Sequence, residues 1–213
     1  MKVDDRPKAI PLPKVAEVLQ VRITCNQCSC RFAVIGTGYF CPACGADQIG
    51  SIFERSIMAV KNGLANLNNI RGAIPNCDQA DDIVRNLIEG SLQHLVATFQ
   101  RYLDRLYEDH TRNIPPKNAF QQLAQGSELW KVETGQTYEN LIGTTELARL
   151  TRYFQQRHLL AHRQGVVDAK YIQKSSDTSY QIGQRIVVKS NDVQDAAILV
   201  EKLGKAIKSK ITP

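Results

Sequence analysis

Two cysteine pairs near the N-terminus constrain this chain more than any other feature of its sequence. Cys25 and Cys28 are separated by two residues, as are Cys41 and Cys44, and twelve residues lie between the pairs. Two such pairs on facing hairpins can place four thiolates at the corners of a tetrahedron, the arrangement that Zn²⁺ prefers. A segment this short cannot build a sufficient hydrophobic core and needs a covalent or metal staple. We therefore predict a metal site formed by these four cysteines.

The alternatives for the cysteines are a redox pair, an iron-sulfur cluster or disulfides. A thioredoxin-like motif has one C-x-x-C pair opening a helix after a strand, whereas two pairs occur symmetrically here. Cys30 could replace Cys28 as a ligand, although Cys28 gives the standard spacing. The pattern resembles a zinc ribbon, which implies one structural Zn²⁺ per chain. A closed site of four thiolates leaves no open coordination position, so we expect no catalytic metal.

The composition describes an ordinary globular chain of 213 residues, with 43% hydrophobic and 23% charged residues. It excludes collagen-like, fibrous and disordered classes. No stretch approaches the roughly 18 to 20 apolar residues that span a bilayer, and the start MKVDDRPKAIPLPK lacks the apolar run of a secretory signal. We expect a cytoplasmic protein without membrane contact. Its predicted parts are an N-terminal arm (1–20), a zinc ribbon (21–50) and a helical bundle (51–213).

After residue 50 the apolar residues recur every three or four positions, which predicts a mainly α bundle beside a small β module. The first helical run is expected to end at Pro75, and the longest helix to run from Asp78 to about His110. The other predicted elements are a strand over 31–35 with a turn at 36–38, a short helix over 120–125, a helical turn at 129–130, a helix from Thr144 that ends before Gly165, a short helix over 168–172, a strand or hairpin over 180–188, and a last helix opened by a capping box of Asn191 and Gln194.

Positive charge is concentrated in the last third of the chain. Residues 1–50 carry six basic and four acidic residues, residues 51–143 carry nine and eleven, and residues 144–213 carry twelve and six. A basic segment attached to a mildly acidic body suggests a surface that meets a polyanion, with a merely solvated charged face as the alternative.

The helix that begins at Thr144 closes with a dense basic cluster, Arg157-His158-Leu-Leu-Ala-His162-Arg163. His158 and His162 are four residues apart and share a helical face, which would suit two metal ligands. Leu159 follows His158, so no H-E-x-x-H metalloprotease motif is formed. A helical histidine is more often structural than catalytic, but two imidazoles and two guanidinium groups within seven residues favour a functional site.

These residues resemble the HEPN family of all-helical nucleic-acid enzymes and interaction modules. The resemblance rests on R-x-x-x-x-H at the end of a bundle helix, on RHLLAHRQGVVDAKYI and on the ending YQIGQRIVVKSNDV, and it extends in helix order from about residue 51 to 213. It implies that Arg157 and His162 cleave RNA without a metal, that His158 is the accompanying polar residue, and that the sites of two protomers meet in a homodimer. One toxin branch places a tyrosine where this chain has Gln164, so we do not carry over the regulation of that branch.

The hypothesis that follows is a metal-independent endoribonuclease that acts as a toxin or antiviral defence effector. A 2′-hydroxyl would attack the neighbouring phosphate, leaving 2′,3′-cyclic phosphate ends, while His162 transfers a proton and Arg157 holds the phosphate. Positions five apart on a straight helix differ by about 140°, so Arg157 and His162 would converge only at a distorted helix end or across two chains. This geometry also favours a homodimer.

Further RNA contacts are expected from four arginines, Arg163, Arg152, Arg22 and Arg31. A protein antitoxin or other regulator would restrain such a nuclease. Two alternatives remain: a non-catalytic module of the same fold that binds RNA or protein, and a zinc-ribbon adaptor in which the bundle is a dimerisation scaffold. Three outcomes distinguish these hypotheses: the nuclease should cleave RNA, the non-catalytic module should bind RNA without cleaving it, and the adaptor should not interact with RNA.

Overall fold

The computed structural model describes residues 20–35 and 40–211. The predicted arm, except residue 20, and the predicted turn at 36–38 therefore lie outside the described residues. The chain divides into two compact units, Met1–Gln48 and Ile49–Pro213. The described residues contain eight α-helices and one small sheet, so the predicted mainly α class is confirmed. None of the described helices is both long and apolar enough to cross a membrane.

The first unit contains two antiparallel strands, β1 (Gln20–Thr24) and β2 (Arg31–Ile35). The predicted strand over 31–35 is confirmed. Side chains along β2 alternate between exposed and half-buried, as expected for a strand with one solvated face. Ile23 on β1 is buried. Val21, Ile23, Phe32 and Val34 thus share the less exposed face of this sheet, whereas Ile35 lies on the solvated face.

The second unit is a bundle of eight helices, if only described residues are counted. The bundle also contains one short 3₁₀ turn at Ala119–Gln121. The helices are α1 (Ile49–Ala65), α2 (Leu67–Gly72), α3 (Cys77–Thr111), α4 (Leu123–Thr134), α5 (Tyr138–Ile142), α6 (Thr144–Arg163), α7 (Ala169–Ser175) and α8 (Ser190–Ile211).

The long helices α3 and α8 form the centre of the bundle, and α1 and α6 pack against both of them. The apolar stripe of α3 fills this centre, where Phe99 and Leu103 are completely buried. Phe53 of α1 stacks on Tyr102 of α3 with ring centroids 4.0 Å apart. Burial of this continuous apolar face accounts for most of the stability of such a helical unit.

The predicted long helix is confirmed as α3, which begins at Cys77 because the Asn76 side chain accepts a hydrogen bond from the Gln79 N–H at 2.9 Å. The expected first helical run is wrong in one respect, because it is interrupted at Asn66. The Asn66 side-chain amide donates to the Asn62 carbonyl oxygen at 2.8 Å, and such local bonds compete with helix propagation.

The region between α3 and α6 contains more helix than predicted. The sequence predicted a short helix over 120–125 and a separate helical turn at 129–130, but Gly126 between them lies inside the twelve-residue α4. A Cβ at this position would come within 2.7 Å of the Tyr138 hydroxyl, so glycine serves close packing there. Helix α5, which opens with a capping box formed by Thr137 and Asn140, is not among the elements predicted from the sequence.

Near the C-terminus the predicted strand or hairpin over 180–188 is wrong. The segment is irregular and makes one isolated bridge, between Arg185 and Val166. Its alternation arises because Ile186 is buried in the bundle while Val187 is exposed. The capping box expected at Asn191 is also absent, since α8 begins at Ser190 and the Lys189 N–H donates to the Asp192 carboxylate.

Candidate functional site

The two cysteine pairs form knuckles with the same backbone pattern. The Ser29 N–H donates to the Cys25 carbonyl oxygen at 2.9 Å, and the Gly45 N–H donates to the Cys41 carbonyl oxygen at 2.8 Å. Ser29 and Gly45 both lie in the left-handed region, with φ of 58° and 71°. Each pair therefore belongs to a tight turn that directs both of its sulfurs to the same side.

The four sulfurs converge on one point. The Cys25 and Cys44 sulfurs lie 3.7 Å apart, the Cys28 and Cys41 sulfurs lie 3.6 Å apart, and all four lie within 4.8 Å of one another. A tetrahedral ion with metal–sulfur bonds of about 2.3 Å requires sulfurs about 3.8 Å apart. The predicted ligand set therefore has the spacing to hold a metal ion.

Electrostatics favour a cation at this point. Hydrogen bonds from the backbone N–H groups of Cys28 and Gln27 lower the pKa of the Cys25 thiol to about 6. The Cys30 N–H favours the Cys28 thiolate, but the neighbouring sulfur of Cys44 and burial outweigh it and raise the pKa of Cys28 to about 12. Four thiolates cannot ionise together at this separation unless a cation compensates them.

Two further observations bear on this centre. The buried Gln48 side-chain amide donates a hydrogen bond to the Cys25 sulfur at 3.6 Å. Gln48 is not one of the four converging cysteines, so it supports one of them from outside the cluster. Cys30 is not among the four converging cysteines. In the first knuckle the Cys25 N–H donates to the Cys30 carbonyl oxygen, and in the second the Cys41 N–H donates to the Ala46 carbonyl oxygen. Cys30 therefore occupies the position that Ala46 occupies in the second knuckle.

The second candidate site is a cavity of about 300 Å³ in the helical unit. Five basic or titratable side chains line it: Arg157, His158 and His162 from α6, and Lys170 and Lys174 from α7. We call it the cationic cavity. No carboxylate occurs among the described residues that line it. Such uncompensated positive charge is the signature of a site for an anion.

Arg157 is the most constrained of these side chains. It is half-buried, and one guanidinium nitrogen donates to the Gln121 side-chain oxygen at 2.8 Å. Its Nε is buried and has no hydrogen-bond partner in the described part of the chain. Burial lowers the pKa of Arg157, and no carboxylate opposes this effect. Gln121 in turn donates to the side chain of Gln100, so Arg157 is held at the cavity by a chain of amides.

The two histidines lie beside each other at the end of α6. Their ring centroids are 4.8 Å apart and their planes are inclined by 51°. Burial lowers the pKa of His158, and the positive charges of His162 and Lys170 lower it further. A lowered pKa favours the neutral form of His158, which can accept a proton.

One chain brings Arg157, His158 and His162 to the same cavity. Arg157 and His162 both lie within α6, and the helix departs from regular geometry only after Arg163. The Gln164 and Gly165 N–H groups both donate to the Leu159 carbonyl oxygen, and Gln164 is left-handed. Gln121 and the two lysines of α7 are not among the site residues predicted from the sequence. The four-residue spacing of Lys170 and Lys174, which puts both on one helical face, was the signal available for the lysines.

Two of the four arginines expected to bind RNA, Arg163 and Arg152, belong to the helical unit and are not among the described residues that line the cationic cavity. Arg163 is exposed and pairs with Asp168 at 3.6 Å. The Arg152 guanidinium lies 5.3 Å from the Tyr153 ring centroid.

Arg22 and Arg31 are exposed on the first unit. The strand register places Arg22 opposite Ala33 and Arg31 opposite Thr24, so both arginines lie on the solvated face of the sheet.

Comparison of the chain with protein-family models, with curated proteins and with solved structures finds no match.

Proposed function

We propose that the helical unit is a metal-independent endoribonuclease of the HEPN type and that the cationic cavity is its active site. The observation that carries the proposal is the convergence of Arg157, His158 and His162 with two lysines in a cavity whose described lining has no carboxylate. A site of this charge selects a phosphate, and adjacent imidazoles supply the acid and base that phosphodiester cleavage needs.

In the proposed reaction, neutral His158 removes the proton of an RNA 2′-hydroxyl, and the 2′-oxygen forms a bond to the adjacent phosphorus. The bond from phosphorus to the 5′-oxygen breaks, and His162 protonates the departing oxygen. The products are a 2′,3′-cyclic phosphate and a free 5′-hydroxyl. Arg157, oriented by Gln121, holds the non-bridging oxygens and offsets the charge that develops on them.

The ion at the four-cysteine centre is inferred to be Zn²⁺, one per chain, because an all-thiolate tetrahedral set suits zinc. Its role is structural, since four protein ligands leave no position for substrate. Its presence would make the first unit a zinc ribbon, and the exposed Arg22 and Arg31 would contact RNA phosphates.

The homodimer, the restraining antitoxin and the role in toxicity or antiviral defence belong to the same proposal and rest on the resemblance described above. The three α6 residues that line the cavity all come from one chain. A homodimer would therefore bring two such sites together and would not be required to complete a single site. Light scattering of the purified protein measures the assembly directly.

The test is cleavage of single-stranded RNA by purified wild-type protein and by variants R157A, H158A and H162A. We expect cyclic phosphate ends, a fall of about 10² to 10⁴-fold in kcat/KM for H158A and H162A, the usual contribution of an acid or base, and a fall of about 10² to 10³-fold for R157A, the usual contribution of a charge-stabilising group. A 2′-deoxy substitution at the scissile nucleotide should abolish the reaction, because the nucleophile is then absent.

Two matched controls lie outside the cavity. Arg85 is exposed and pairs with Asp82 on α3, and His110 is exposed at the end of the same helix. R85A and H110A should retain cleavage. Wild-type protein that binds RNA without cleaving it, or cleavage that survives R157A and H162A in folded protein, overturns the enzymatic proposal; the first result establishes the binding module instead.

A further inference from the structure

We propose that a second cavity, next to the cationic cavity, binds an unstacked nucleobase of single-stranded RNA; this inference rests on the proposed function, in which the cationic cavity binds the phosphate. The second cavity has a volume of about 670 Å³ and lies among α4, the start of α5 and α6. Its polar lining consists mainly of amide and hydroxyl groups, including Gln125, Ser127, Thr137 and Thr151. We call it the amide cavity.

The two cavities are adjacent. Gln122, Phe154, Gln155 and Lys174 line both of them. A group bound in one is therefore an immediate neighbour of a group bound in the other. In RNA a base and its phosphate are joined through a single ribose, so adjacent cavities of different chemistry match the two halves of one nucleotide. A volume of this size lies in the range of ordinary small-ligand sites.

Charge distinguishes the occupants. The amide cavity has one lining cation, Lys174, at the shared boundary, and two carboxylates, Glu128 and Glu139, when described residues are counted. Carboxylates repel a phosphate, so the RNA backbone is not expected to continue through this cavity. A neutral base is not repelled, and carboxylate oxygens can accept hydrogen bonds from base amino groups.

Hydrogen-bonding capacity points to the same occupant. The side chains of Gln122, Gln125 and Gln155 have no hydrogen-bond partner in the part of the chain that the structure describes. An amide offers a donor and an acceptor together, the combination that base edges present. Phe154 contributes an apolar wall at the junction. Bases become accessible for such contacts in single strands rather than in RNA duplexes, which defines the substrate class.

The experiment measures binding of a short single-stranded RNA whose nucleotides are 2′-deoxy where cleavage would occur. One base at a time is removed, leaving an abasic sugar and an intact phosphate backbone. We expect one position at which base removal weakens binding to the wild-type protein about tenfold, in line with the typical contribution of a bound base. The variant T151F fills the cavity, and there the same removal should weaken binding less than twofold.

The matched control is T145F, which adds the same ring to an exposed threonine of the same helix outside either lining. It should keep the tenfold loss. Q125A, a smaller change in the cavity wall, should reduce the loss without filling the cavity, and it serves if T151F does not fold. Circular dichroism confirms that each variant is folded before binding is compared.

The outcomes separate the two proposals. A positional loss that disappears in T151F and persists in T145F supports the nucleobase site, even if the protein does not cleave RNA. Cleavage by the wild-type protein without any position-specific loss overturns the nucleobase site and leaves the ribonuclease intact. A loss of the same size in T151F, Q125A and T145F also overturns it, because the base then binds elsewhere.

Discussion

Replacement of Gly204 by alanine tests the packing at the centre of the bundle. Gly204 is buried in α8, and a Cβ there would lie 2.9 Å from a ring carbon of Phe53 and 3.1 Å from one of Tyr102. These two rings are stacked on each other at 4.0 Å and nearly parallel. Neither ring can move away from the new methyl group without disturbing the other, so the helices themselves must separate.

Two effects of opposite sign determine the free energy of unfolding of G204A. Overpacking a close-packed core costs about 1 to 3 kcal/mol. Removal of a glycine from a helix interior contributes about 1 kcal/mol of stability. Taking a cost of about 2 kcal/mol, we expect a net destabilisation of about 1 kcal/mol.

Gly90 provides the matched control, because it lies inside α3, is exposed, and would place a Cβ with no atom within 4 Å. G90A should therefore be about 1 kcal/mol more stable than the wild type. The difference between G204A and G90A, about 2 kcal/mol, then isolates the packing cost because the propensity gain is common to both.

The assay is urea unfolding of the metal-loaded protein followed by circular dichroism at a helical wavelength, with the denaturant slope required to be unchanged among the three proteins. If G204A and G90A are stabilised equally, the contact of α8 with the two stacked rings does not exist in solution and the reasoning is refuted.

Two further predictions concern the site and the metal. Burial and nearby positive charges lower the pKa of His158, the proposed base. We therefore expect kcat/KM for RNA cleavage to be maintained as the pH falls to 6.5, the usual histidine pKa, and to decline only below it. K170Q removes one of those charges and should shift this decline to higher pH, and an unchanged pH profile would show that His158 is not the base. Chelation of the metal should accelerate tryptic cleavage after Arg22 and Arg31, because the uncompensated thiolates repel one another, while helical circular dichroism and RNA cleavage persist. Loss of RNA cleavage on chelation would contradict a purely structural metal.

Local sequence patterns predicted those parts of the fold that local physics determines. The four cysteines were predictable because their spacing encodes the knuckle, and α3 because its apolar stripe repeats over many turns. The break at Asn66 and the continuity of α4 through Gly126 were not predictable. The first depends on one side-chain bond to the preceding turn, and the second on the approach of Tyr138 from a later helix.

The difference between local patterns and contacts across the fold also explains which residues of the candidate site could be predicted. The α6 cluster is contiguous in sequence, so Arg157 and His162 could be proposed as candidate site residues from the sequence alone. The orientation of Arg157 depends on Gln121, which is 36 residues away in sequence. A contact of this kind arises only when the 3₁₀ turn packs on α6, and no local periodicity reports it.

The absence of acidic partners from the described lining of the cationic cavity is itself an argument for function. Elsewhere on this unit, two partly exposed cations have acidic partners: Arg185 pairs with Glu89 at 2.8 Å, and Lys61 pairs with Glu201 at 2.6 Å. Arg157 is half-buried and its own Nε has no hydrogen-bond partner among the described residues. This arrangement costs folding free energy, because the desolvated charge gains no ion pair in return. An anionic ligand would offset that cost on binding, and such locally unfavourable arrangements are typical of functional sites rather than of scaffolds.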